Sequence, residues 1–281
     1  MADTYNLPRH STESARLDAQ HDAYVKIIGF LLHPRIAATL PPNARIADVG
    51  TGTGVWLHDL ARESPPTWIY HGFDISDEQF PVNGGERDHT KYARLNITEP
   101  IPDGLKGQFD VVHLRLLVCG LTGYEWALAA RNALQLLKPG GWIQWHESQF
   151  RDIETLQNVS GASTRHNRNL LKATMATLGK QGKMLDDALK LSSTVEAAGF
   201  VDCAEDVFST GRVPEVREEL MKVQFGAIKA IGTALAAKDA RFPMTSGEME
   251  TELEEAEREL EGGKAYYQWN MRIVTGRRPV G

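Results

Sequence analysis

The chain has 281 residues, 42% hydrophobic and 24% charged, with a formal net charge of −6 at pH 7. That length suits one core with decorations better than two full domains. The acidic balance argues against a nucleic-acid partner, and no apolar run approaches the roughly 18 residues that cross a bilayer. The polar N-terminus lacks the apolar stretch of a signal peptide. Cys119 and Cys203 sit in apolar, strand-like surroundings and are expected as buried thiols, not a bridge. A cytoplasmic protein with no membrane partner is therefore expected.

In chain order, 13–33 has Leu17, Tyr24, Ile27, Ile28 and Leu31 at helical spacing. With the prolines at 34, 41 and 42 it makes an N-terminal helical cap over 1–42. From 43 to 150 the pattern alternates. Strands are predicted at 45–50, 68–75, 91–96, 109–117 and 142–146, and helices at 55–62 and 124–137. Lys138-Pro139-Gly140-Gly141 reads as a turn. Apolar strands alternating with helices imply parallel βαβ units, hence an α/β, doubly wound, mostly parallel sheet. Residues 151–281 are expected to add helical lid insertions and the final strands of the same sheet. Two or three helices are read at 153–199, a strand at 201–211, helices at 214–238 and 249–261, and a strand at 266–275. The acidic run at 248–261 holds eight Glu and one Arg and is read as a solvated helix face.

The glycine spacing Gly50-x-Gly52-x-Gly54 follows the first strand. A glycine turn there lets backbone approach a ligand closely. The dinucleotide fingerprint would place a small residue where Val55 stands, and no Lys-Ser/Thr follows as in a P-loop. Asp48, two residues before the first glycine, would repel a diphosphate and attract an ammonium or sulfonium ion. Asp74 ends the second predicted strand, where a carboxylate can accept hydrogen bonds from a ribose diol.

Asp48-x-Gly50-x-Gly52-x-Gly54, followed by Asp74, resembles the class I S-adenosylmethionine-dependent methyltransferases. Leu136-Leu137-Lys138-Pro139-Gly140-Gly141-Trp142 resembles their turn before the fifth strand, and 109–115 their fourth strand. Tyr5-x-Leu7-Pro8 with Glu13, Arg16, Leu17, Gln20 and His21 resembles a fungal secondary-metabolism group that includes the LaeA-like regulators. The resemblance implies a seven-stranded sheet whose last strand is antiparallel, with S-adenosyl-L-methionine as cofactor. It implies that Asp48, Gly50, Thr51, Gly52 and Gly54 flank the cofactor's amino-acid part. Asp74 would hold the ribose, Ile75 would pack on the adenine, and Asn96 and Ile97 would meet the adenine edge. His113, Leu114 and Arg115 would face the methionyl part.

Methyl transfer depends mainly on alignment, and a general base helps when the acceptor is a hydroxyl or thiol. His113 and His146, at the predicted ends of the fourth and fifth strands, are the catalytic candidates. Tyr24, His21, Glu147 and Phe150 are candidates for the substrate or lid surface. No Cys/His cluster has zinc spacing, so no metal is expected. The function expected is O-, N- or S-methylation of a small natural product by a monomer or homodimer. A LaeA-like regulatory role and a non-methylating reaction such as a cyclisation are the alternatives.

Overall fold

The strand β1 (Arg45–Val49) is the centre from which the sheet is wound. The structure, a computed structural model, describes residues 11–81, 89–183 and 187–281. The Tyr5, Leu7, Pro8 part of the resemblance motif lies outside them. Helix α1 (Ser11–Ile28) and the short α2 (Pro34–Ala37) precede β1. The helix expected over 13–33 stops at Gly29, whose φ of +90° ends it early. After β1 come α3 (Val55–Glu63), β2 (Ile69–Asp74), β3 (Thr90–Arg94), β4 (Phe109–Arg115) and α4 (Glu125–Leu136). Then follow β5 (Leu137–Ser148), β6 (Glu154–Gln157), α5 (Arg165–Lys180) and α6 (Leu191–Ala197). The chain closes with β7 (Val201–Ser209), α7 (Arg217–Lys238), α8 (Ser246–Leu260), β8 (Ala265–Gln268) and β9 (Asn270–Arg277).

Seven strands form one sheet in the order β3-β2-β1-β4-β5-β9-β7. β1 to β5 pair parallel, and β9 runs antiparallel between β5 and β7. The chain winds outward from β1 to β3 and then returns to β4 on β1's other side. That reversal opens a crevice at the carboxyl ends of β1 and β4, where doubly wound sheets bind ligands.

Alternation along the strands sorts side chains between the two faces. Ile46, Tyr70, Val111 and Trp142 pack with Trp56, Leu57 and Leu60 of α3. Ala47, Val49, Val112, Leu114 and Trp145 face the opposite cluster, with Trp126 and Ala130 of α4.

Several expectations are corrected. Lys138 to Gly141 are not a free turn: they bulge out of β5, so Phe109 pairs with Leu137 while Val111 pairs with Trp142. The stretch 153–199 is not all helical, because β6 pairs antiparallel with β8 in a second, two-stranded sheet. The single strand expected at 266–275 is divided between β8 and β9. The two cysteines are free but only half-buried.

The acidic run is not wholly solvated either. Glu259 is buried and accepts from the backbone N–H groups of His166 and Asn167 at the start of α5, at 3.1 and 3.0 Å. A carboxylate at a helix N-terminus satisfies donors that the helix itself cannot. Segment Pro214–Lys238 is long and apolar enough to cross a bilayer by length and composition. Here much of it is buried, with α7 packed on α1, α5 and α8.

Candidate functional site

A cavity of about 1020 Å³ opens at the carboxyl ends of β1, β2, β3 and β4. Its floor is the turn after β1, from Val49 to Thr53. Gly50 and Gly52 hold φ values of +76° and +52°, which side chains rarely adopt. The turn is pinned to the next strand, because Gly50 N and Thr51 N both donate to Phe73 O, at 2.8 and 3.0 Å. Gly52 N donates to Asp74 Oδ2 at 2.9 Å, and Ser76 N to Asp74 Oδ1 at 3.3 Å. Asp74 thus braces the glycine turn while lining the cavity. Thr53 Oγ1 ties the same turn to Asp18 of α1 at 2.7 Å.

Of the expected cofactor residues, Gly50, Thr51, Gly52, Asp74, Ile75, Asn96, Ile97 and Arg115 line this cavity. Ile75 keeps 45% of its surface exposed, an apolar face available to a flat ring. Asn96 turns its carbonyl inward on its own loop, accepting from Thr98 N at 3.0 Å and Thr98 Oγ1 at 2.8 Å. Gly54 is set back from the wall as the N-cap of α3, with φ +74°, and a Cβ there would collide with the Tyr92 ring. Leu114 is buried in the sheet.

Asp48 and the two candidate catalytic histidines are not cavity residues. The cause is strand geometry. Asp48 points to the α3 face with Ile46, and β1–β4 register sets it beside His113. The Asp48 Oδ1–His113 Nδ1 distance is 2.7 Å, and the His113 ring stacks on Trp56 at 3.7 Å. Burial depresses the His113 pKa against the pull of Asp48, so the neutral ring donates its Nδ1–H to the carboxylate. His146 pairs in register with Arg115 on the same face. It lies against Tyr24, ring centres 5.5 Å apart, and burial followed by the Arg115 charge holds it well below the usual imidazole range.

Arg115 connects this buried layer to the cavity. Its Nη1 donates to His21 Nδ1 at 2.9 Å, which leaves His21 Nε2–H to donate to Asp59 Oδ2 at 3.0 Å. Burial and then Arg115 lower the His21 pKa to about 4, consistent with that neutral tautomer. His21, Asp22 and Asp59 could crowd a metal ion, but both ring nitrogens of His21 are already engaged. Tyr24 is a packing residue: its hydroxyl lies 3.1 Å from Ser148 Oγ. His21, Tyr24 and Glu147 therefore stand behind the cavity, and Phe150 alone of the four lid candidates lines it.

Glu147 acts from behind the wall. Its carboxylate accepts from Leu117 N at 2.8 Å, Val118 N at 3.3 Å and Trp145 Nε1 at 2.9 Å. These bonds fix the loop after β4, where Leu116 takes a left-handed φ of +56° and Leu116 and Leu117 line the cavity. Burial pushes the Glu147 carboxyl up to about 8, against those three donors.

The roof comes from helices. α1 gives Arg16, Leu17 and Gln20, α5 gives Thr174, Met175 and Leu178, and α7 gives Gln224, Ala227, Ile228 and Ile231. The α7 set recurs at i, i+3, i+4 and i+7, a signal present in the sequence but indistinguishable there from a core stripe.

The donor set fits S-adenosylmethionine. Asp74 offers carboxylate oxygens at the strand end, Ile75 an exposed apolar face, and the glycine turn close backbone approach. Among the described residues Thr51 Oγ1, buried in a cavity-lining side chain, has no hydrogen-bond partner, which leaves a donor and acceptor for a ligand.

Comparison with known proteins agrees with this geometry. A methyltransferase-domain profile matches residues 20–203. Methyltransferase grgD of a Penicillium species is 38% identical over 232 residues, covering 78% of this chain and 77% of grgD. N-methyltransferase tcpN of Claviceps purpurea is 30% identical over 284 residues, covering 99% and 98%. A chain of the Haloferax volcanii complex between the Trm112 methyltransferase activator and a methyltransferase shares the fold, at a TM-score of 0.51 and 14% identity, with 99% of each chain covered.

Proposed function

The chain belongs to the S-adenosylmethionine-dependent methyltransferases, and from that premise we propose that it methylates a nitrogen of a small, largely apolar natural product of fungal secondary metabolism. The observation that carries this reading is the cavity's two-sided lining. One side has the glycine turn, Asp74 and Asn96, and the other has Phe150, Leu178, Ile228 and Ile231. Such a cavity holds a polar cofactor and an apolar acceptor in one space, as proximity catalysis requires.

When bound, the cofactor supplies a methyl group already activated on sulfonium sulfur. The protein's residues bind and align. Asp74 would accept from the ribose hydroxyls, Ile75 would pack the adenine, and the turn from Val49 to Thr53 would carry the amino-acid part. Leu116, Leu117 and Phe150 exclude water from the acceptor side. An acceptor nitrogen is supported by two facts. No imidazole lines the cavity among the described residues, and a neutral amine brings its own lone pair, so it needs little general-base help. The relative tcpN, alike over its full length, is named an N-methyltransferase.

Incubation with methyl-labelled S-adenosylmethionine and matched amine and hydroxyl acceptors of equal size tests this. Label on the amines is expected. Label only on the hydroxyl compounds would overturn the nitrogen assignment, and no transfer to any acceptor or fungal extract would overturn methylation of a small molecule.

A further inference from the structure

Among the described residues, two uncharged polar atoms of the roof helices α5 and α7 have no hydrogen-bond partner. Gln224 of α7 is 4% exposed and Thr174 of α5 is fully buried. Both residues line the cavity, and neither Gln224 Oε1 nor Thr174 Oγ1 has a hydrogen-bond partner. Their cavity-lining neighbours on the two helices, Met175, Leu178, Ala227, Ile228 and Ile231, are apolar. The Thr174 hydroxyl is not satisfied in the usual helical way. One turn's face away, Thr177 Oγ1 donates back to Ala173 O at 3.0 Å, whereas Thr174 makes no such bond.

A buried acceptor left unpaired weakens a fold, and leucine and valine would fill these positions with no such penalty. Side chains at a cavity wall whose polar atoms stay unpaired fit a ligand that brings the missing partner. Gln224 Oε1 can only accept, so the partner must carry an N–H or O–H; the Thr174 hydroxyl can donate or accept beside it. A charged group would lose its hydration beside these two residues, and the roof's cation, Arg16, is already held by Glu13 at 2.9 and 2.6 Å.

Resting on the methyltransferase reading above, we infer that Gln224 and Thr174 determine substrate specificity, selecting apolar molecules that carry a neutral N–H or O–H group. Selection comes from the cost of leaving that acceptor unpaired when a ligand lacks the donor.

The test is calorimetry of the full chain saturated with S-adenosylhomocysteine, using 2-naphthol, 2-methoxynaphthalene and 2-naphthoate as probes. They share one ring system and differ in donor and charge. The wild type is expected to bind 2-naphthol about tenfold more tightly than 2-methoxynaphthalene, the worth of one neutral hydrogen bond, and 2-naphthoate more weakly than either. The double variant Gln224→Leu/Thr174→Val is expected to bind the first two equally, at unchanged urea stability or better. If it does not fold, Gln224→Leu alone makes the same comparison. Equal binding of 2-naphthol and 2-methoxynaphthalene by the wild type, no binding of 2-naphthol, or a preference that survives the substitutions overturns the inference. Failure of S-adenosylhomocysteine to bind in the same titration would instead overturn the methyltransferase reading.

Discussion

Replacing Asp74 separates ligand binding from loop support. In the free protein its carboxylate already takes Gly52 N–H at 2.9 Å and Ser76 N–H at 3.3 Å. The same carboxylate would take the ribose diol. Hydrogen bonds to a charged acceptor contribute about 1.5–3 kcal/mol each, so Asp74→Ala removes roughly 3–6 kcal/mol of contact with the ligand. Water entering the truncated space recovers part of that. A loss of about 3 kcal/mol remains, roughly a 150-fold rise in Kd. Asp74→Asn keeps one acceptor oxygen without charge, and about a tenfold rise is expected. The fold loses only the bracing of a partly exposed turn, about 1 kcal/mol. Titration calorimetry with S-adenosylhomocysteine, paired with urea unfolding, reads both effects. An unchanged Kd in Asp74→Ala, with stability alone reduced, would refute the assignment of this carboxylate to the cofactor.

Further predictions concern the buried layer. Glu147→Ala leaves three N–H groups without an acceptor and is expected to cost about 3–5 kcal/mol in urea unfolding, while also weakening cofactor binding through the loop of Leu116 and Leu117; full stability would refute the anchoring role. His146→Leu is expected to leave kcat within about threefold, whereas loss of a general base would cost roughly 100-fold or more, and a loss of that size would restore His146 to the reaction. The pH dependence of stability follows from depressed histidines and one raised carboxyl. His21 and His71 fall to about 4, chiefly through burial, and His113 and His146 are lowered by the same cause. The unfolded chain protonates these four rings near 6.5 while the folded chain does not, so stability is present above that pH and is lost below it. Glu147, raised to about 8, works oppositely: the folded chain keeps its proton, so that contribution falls away as pH rises through 8. A stability maximum near neutrality is expected, with stability lost between pH 7 and 5, His21 and His71 accounting for about 3 kcal/mol of that loss. Stability that is flat from pH 5 to 7 would contradict it.

The parallel sheet, the glycine turn and Asp74 were legible because each leaves a local mark: apolar runs, positive-φ glycines and a fixed strand-end position. Asp48 and His113 were misplaced because the motif says where they occur, while the alternation of strand side chains says which face they enter. Counting by two from Ile46 on β1 and from Val111 on β4, which both pack under α3, would have sent both behind the wall. The pairing of β6 with β8 joins residues more than a hundred positions apart, and short strands of that kind carry little local pattern. Glu259 was hidden inside a run of like charges, since nothing in the run distinguishes the one Glu that reaches α5. In the roof, Gln224 and Thr174 lie on amphipathic helices whose apolar stripes read as core until the cavity beneath them is seen.

S-adenosylmethionine is assigned as methyl donor to the cavity at the ends of β1 and β2, and a crystal structure with S-adenosylhomocysteine decides that assignment. The ribose hydroxyls are expected on Asp74, the adenine against Ile75 and the sulfur directed toward the roof of α5 and α7. A ligand bound elsewhere, or a ribose that does not contact Asp74, would contradict it.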